Sequence, residues 1–212
     1  MAESSVQQEI YVAFEQMKQK NFSGAETTLR QALEKNPEVS HPAQAGLLLS
    51  TMGVLYKLKD EPKEAWRCYE KAEKLMPDDP SLKLIMAKFL IDKFAQYDAA
   101  IKKLEKVLKL AKGSPSFEHQ AHATIGLAYL KKGNKKDAIR MLEKAMEADF
   151  VGIVSAQNIN FDLLEAFLAR NLERDRCQVY LQKALRLAES RKEHKQAAFL
   201  TKLLDSFEIT AQ

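Results

Sequence analysis

Glycine and proline are scarce in this sequence, seven and six among 212 residues. That scarcity argues against an all-β or loop-rich protein, whose turns use both. Cysteine is scarcer still. Cys68 and Cys177 stand far apart in the chain and make no disulfide framework, which points to a reducing compartment. No run approaches the ~18 to 20 apolar residues of a membrane span. The opening MAESSVQQEI lacks the basic start and apolar stretch of a signal peptide. These features read as a soluble, cytoplasmic chain. The net charge of +4, from 33 basic and 29 acidic residues, is low for a nucleic-acid binder, and no nucleic-acid partner is expected.

Catalytic signatures are missing too. There is no phosphate-cradling glycine loop, no H-E-x-x-H, no paired C-x-x-C and no G-x-S-x-G. No enzyme activity and no cofactor are expected. His119 and His122 lie three apart beside Glu118, but no third and fourth ligands are evident nearby, so partly exposed histidines near a helix start are expected instead of a metal site. Cys68 and Cys177 fall among apolar residues on helix faces, as small buried hydrophobes, and Trp66 reads as packing.

What is present is 46% hydrophobic and rich in Ala, Leu, Lys, Glu and Gln, the good helix formers. It also repeats. Gly126, Tyr129, the turn KKGNKK, Ala138, Leu142 and Ala145 share their spacing with Gly53, Tyr56, the turn KLKDEPK, Ala65, Tyr69 and Ala72, which Pro77 closes. Ala100, Leu104 and Val107 repeat the second half behind Tyr97. Ala25, Leu29 and Ala32 repeat it after Phe22 and before Pro37, and Cys177, Leu181 and Ala184 form a worn fifth copy. Each copy has 3.6-residue periodicity on both sides of a polar turn, so each is two helices, A and B. Ser40 before Pro42, Asp79 before Pro80, and Ser114 or Ser116 around Pro115 mark helix starts, while Gly133 with Asn134 suits a helix end. Gly126 inside helix A costs about 0.5 to 1 kcal/mol against alanine, and close approach of a second helix would offset it.

These positions resemble the tetratricopeptide repeat, over roughly residues 5 to 190. The sequence departs from the family in three ways: copies longer than 34 residues, Glu9 and Gln16 at apolar positions of the first A helix, and Glu165 at the small-residue position of the fifth. The expected fold is all-α, a solenoid of about four to five hairpins (5–39, 40–79, 80–114, 115–152 and a divergent 153–190). Residues 191–212 would form a C-terminal capping helix and tail, with Phe199, Leu200, Leu203, Leu204 and Phe207 on one stripe. The resemblance implies a right-handed superhelix with A helices lining its concave face.

That face would carry Tyr11, Phe14, Leu47, Val54, Leu82, Met86, Phe89 and Leu127, with Ile10 and Ile85 among them and Ser50, Thr51, Gln120 and Thr124 as its polar members. A groove so apolar suits an amphipathic helix or an extended peptide of a partner protein, unless the chain's own termini or a second copy cover it. The expected function is a non-catalytic adaptor or scaffold. A chaperone-like holder of a secreted or assembling subunit and a self-associating homodimer are the alternatives. Lys131, Lys132, Lys135 and Lys136 form a possible basic docking edge, beside Lys57, Lys59 and Lys63; Asp60, Glu61, Asp92 and Asp98 interrupt it, and helix-end lysines also favour the helix dipole.

Overall fold

Four of the six prolines open helices in the computed structural model: Pro42, Pro62, Pro80 and Pro115 stand at first helical positions, where the missing N–H costs nothing. The structure describes residues 2–209, except the side chains of residues 2–5, 148–149 and 206–209. Among the described residues it is all-α: α1 (Ala2–Lys18), α2 (Phe22–Lys35), α3 (Pro42–Leu58), α4 (Pro62–Leu75), α5 (Pro80–Phe94), α6 (Tyr97–Leu110), α7 (Pro115–Lys131), α8 (Lys135–Ala145), α9 (Asp162–Leu168), α10 (Arg174–Ser190) and α11 (His194–Ile209). Short 3-10 turns at Glu147–Phe150 and Ala156–Asn158 interrupt the series. The chain forms two compact units, Met1–Met86 and Ala87–Gln212, divided within α5.

The repeat is visible in the backbone as well as in the side chains. α1, α3 and α7 each end with a residue of positive φ, at Lys20, Asp60 and Gly133. The next N–H reaches back five residues in all three, Asn21 to Gln16, Glu61 to Tyr56 and Asn134 to Tyr129, each at 2.9 Å. That bond satisfies a carbonyl the helix end would leave open. Asn21 and Asn134 then turn the chain into the following helix, their side chains accepting from the N–H groups of Gly24 and Asp137. Asp79 does the same for α5, accepting from Leu82 N–H at 2.7 Å.

The B-helix triplets predicted from spacing are all core. Ala25, Leu29 and Ala32, Ala65, Tyr69 and Ala72, Ala100, Leu104 and Val107, Ala138, Leu142 and Ala145, and Cys177, Leu181 and Ala184 are each 2% exposed or less. On α1 the register holds: Ala13, twelve residues before Ala25, is buried with Val6 and Met17. Gln16, at the tyrosine position, stays polar because Thr28 Oγ1 donates to its side-chain oxygen at 3.0 Å. Lys35 pairs with Glu9 across the same hairpin.

The two mid-helix glycines are explained by close approach. A Cβ on Gly53 would overlap the Tyr69 ring of its own hairpin. One on Gly126 would meet Met141 Cβ at 3.0 Å, but its tightest neighbour is Leu163 on α9. Gly126 therefore lets a third helix in, besides its hairpin partner.

The fifth copy is built differently from the others. Its A helix is only the seven residues of α9, preceded by a segment rich in β-branched residues and containing Gly152, which suits a helix poorly. Glu165 points to solvent while Leu163, Leu164 and Phe167 are buried. After α10, α11 packs back on it through Leu200; Phe199 is exposed, and Phe207 lies outside the described side chains.

Candidate protein-interaction surface

In the N-terminal unit α1 and α3 pack side by side, each with its inner stripe on the B helices. Their other stripe is left to solvent, exposing Tyr11 (60%), Phe14 (38%) and Leu47 (42%), with Ile10, Ser50 and Val54 half-buried between. Thr51 turns inward and donates to Leu47 O. A small cleft of about 100 Å³ opens between Val6, Ala43 and Leu47, with the amides of Gln7 and Gln44 at its rim.

The remaining predicted face residues do not line a surface. Leu82, Met86, Phe89 and Leu127 are each 4% exposed or less, so they are core side chains that a partner cannot reach without unfolding something. Spacing places a residue on a helix stripe, and it does not say which neighbour lies over that stripe. Ile85 remains exposed.

At α7 the cover comes from residues 158–162. Gln120 donates to Asn158 O at 2.6 Å, while Asn160 donates to Gln120 and Thr124 and accepts from Asp162 N–H. Tyr180 Oη donates to Asn160 O at 2.6 Å. His119, which the sequence leaves as a partly exposed residue, is buried at the centre of this cover. Its Nδ1 lies 2.7 Å from Ala145 O and its Nε2 accepts from Asn160 N–H at 2.8 Å. Only the neutral Nδ1–H tautomer makes both bonds, and the one ring lone pair, on Nε2, is taken by Asn160 N–H. Burial holds the ring below its ordinary pKa, as it does for half-buried His122. Rings of Phe150 and Phe161 stand edge-on around Tyr180.

The predicted lysine edge is largely neutralised. Lys131 pairs with Asp92 at 3.5 Å, Lys132 with Asp98 at 2.6 Å and Lys135 with Glu173 at 2.9 Å; of the four, only Lys136 holds no ion pair among the described residues. Lys59 is likewise shared between Glu26 and Glu61, and the Glu26 carboxylate also takes Arg30 and the Tyr56 hydroxyl, which sews α2 to α3. Sequence spacing could not see the partners, because most lie on other helices.

A cleft of about 720 Å³ runs in the N-terminal unit between α2 and α4, lined also by Leu49, Met52 and Tyr56 of α3. Its walls mix Arg30, Arg67 and Lys71 with Glu38, Glu64 and Glu70. Cys68 opens on it, its thiol pushed up to about 11 by burial, and Cys177 is raised likewise, so neither is an activated nucleophile.

Paired helices in series, small residues at the crossings and a shared turn define a helical-hairpin repeat protein. Residues 119–150 match the family model described as tetratricopeptide repeat, so the chain carries a tetratricopeptide repeat across α7 and α8. Solved structures of similar fold include pilF of Pseudomonas aeruginosa (TM-score 0.65, 17% identity, 97% of this chain and 93% of that one). PilW, a widely conserved type IV pilus biogenesis factor, is also similar (0.64, 14%, 95% and 93%), as is MamA from Desulfovibrio magneticus RS-1 (0.56, 18%, 88% and 96%). At these identities the likeness is one of fold. No curated protein matches the chain by sequence. No described helix is long and apolar enough to cross a membrane.

Proposed function

We propose that the chain is a non-catalytic scaffold that binds a segment of a partner protein on the exposed A-helix face of its N-terminal unit. The observation that carries this reading is the exposure of Tyr11, Phe14 and Leu47 on neighbouring helices whose inner stripes are buried. Adjacent exposed aromatic and aliphatic side chains are disfavoured on a surface that meets only water. A tetratricopeptide architecture supports a role in protein–protein interaction, and the two free cysteines fit a reducing compartment. The partner segment is an amphipathic helix or an extended strand. Its apolar side chains meet Phe14 and Leu47, and one of them enters the cleft between Gln7 and Gln44.

The test is capture of partners from a lysate by immobilised full-length chain, compared with Phe14→Glu/Leu47→Glu. Specific bands should disappear in the double variant at unchanged helicity. Retention of the same bands would remove the A-helix face as the binding site.

A further inference from the structure

The outward faces of the B helices in the C-terminal unit carry a basic pattern that recurs in register. On α6, Lys102, Lys106 and Lys109 stand two, six and nine residues after Ala100. On α8, Arg140 and Lys144 stand two and six after Ala138. On α10, Arg186 stands nine after Cys177. At 100° per residue these offsets point away from the buried stripe at offsets zero, four and seven. All six side chains are exposed.

The three helices are neighbours within the unit. α6 and α8 both pack on α7. α8 is tied to α10 by Lys135–Glu173 at 2.9 Å, Arg176–Glu143 at 3.0 Å and Lys183 Nζ to Met146 O at 3.1 Å. Among the described residues Lys102, Lys106, Lys109, Lys144 and Arg186 hold no ion pair, and Arg140 holds Asp137 at 2.9 Å. The unit has 22 Lys and Arg against 16 Asp and Glu, so the excess positive charge of the chain lies in it. A lysine stripe on one helix is ordinary solvation. The same register on successive helices makes a positively charged face with a periodic layout.

We infer that this face docks an acidic segment of a partner protein. Lysine predominates, and a compact ammonium suits carboxylates met in many orientations, whereas fixed bidentate recognition of phosphate favours arginine. No exposed ring stands among these residues to stack the bases of a single strand. Glu105 and Glu143 share the five-residue offset and stand on the same side. They oppose the unbroken negative charge of a duplex or an anionic bilayer, but they fit a polypeptide whose acidic run includes basic residues. This site lies on different helices from the proposed A-helix face, and it stands or falls independently of it.

The experiment is fluorescence anisotropy of a labelled poly-glutamate peptide titrated with the full chain, with phosphatidylserine vesicles and a single-stranded RNA as alternative probes. The peptide should bind, and its affinity should fall steeply as salt rises. Lys102→Glu/Lys106→Glu/Arg140→Glu/Lys144→Glu should weaken it by about tenfold or more at unchanged helicity, and Phe14→Glu should leave it unchanged. If the reversed variant loses helicity, glutamine at the same four positions should still weaken binding several-fold. No peptide binding by the wild type, an unchanged affinity in the folded charge variant, or binding to vesicles or RNA without binding to the peptide would each overturn the inference.

Discussion

One position, read on three A helices, separates the two units. Phe14 comes after Ala13, Val54 after Gly53 and Leu127 after Gly126, so all three occupy the same place in the repeat. Phe14 is 38% exposed, Val54 half-buried and Leu127 4% exposed. The difference is not in the side chains, which are all large and apolar. In the C-terminal unit the segment at Asn158 and Asn160 is hydrogen-bonded along α7, and Leu163 reaches Gly126. In the N-terminal unit the face of α1 and α3 stays open at Tyr11, Phe14 and Leu47. A repeat position thus becomes core or exposed surface according to whether a later segment of the chain folds back over it.

The strongest way to break this comparison is Leu127→Glu. A carboxylate there has no partner and no route to water, so unfolding in urea should show a loss of about 3 to 5 kcal/mol. A loss below about 1 kcal/mol would mean that α7 is not tightly covered. The two glycines sharpen it next. Alanine gains about 0.5 to 1 kcal/mol of helix preference at either site. At Gly53 the new methyl meets the ring of buried Tyr69, which moves only as a rigid body, and a net loss of about 1 to 3 kcal/mol is expected. At Gly126 the tightest neighbour is a terminal methyl of Leu163, which can turn aside. Gly126→Ala should therefore cost less than Gly53→Ala, and the reverse order would contradict the assigned crossings.

Most of the fold was legible because its signals are local. The B-helix triplets, the proline starts and the paired helices come from periods within one copy, and the structure buries the triplets as spacing requires. The register of α1 was not legible, because Glu9 and Gln16 fall at apolar positions, and the burial of Ala13 is what fixes it. The surface was less legible as well. Leu82, Met86, Phe89 and Leu127 match exposed positions in spacing yet are buried, and on α7 the covering residues 158–163 lie outside any period of the repeat. His119 shows the same limit: its partners Ala145 and Asn160 lie 26 and 41 residues away, so a histidine that cross-links three segments looks in sequence like any histidine near a helix start.

That histidine gives the covered face a pH dependence. Burial lowers the His119 and His122 pKa values from 6.5, so the unfolded chain takes up protons first as pH falls. Stability present above pH 6.5 is therefore lost as pH falls through 6.5 toward the folded values. Protonated His119 also cannot accept from Asn160 N–H. Hydrogen exchange should show the Asn160 amide opening in this range while α1 and α3 stay protected, and His119→Gln should flatten the pH slope of the melting temperature. Glu26 and Glu173 act lower: Arg30 and Lys135 hold their carboxylates below 4.5, and that contribution is lost only as pH falls through their folded values.

The smallest expected effect is the one that decides what the open face is for. Phe14→Glu replaces a ring already 38% exposed, on a helix held by Val6, Ala13 and Met17. Stability should change by no more than about 0.5 to 1 kcal/mol, because the new carboxylate reaches water and little apolar contact is lost. A loss as large as that of Leu127→Glu would show that Phe14 belongs to the core. A near-neutral change at Phe14 beside a large one at Leu127 would show that the chain keeps an apolar stripe on α1 that its own folding does not require. Such a stripe is what the proposed partner segment would cover.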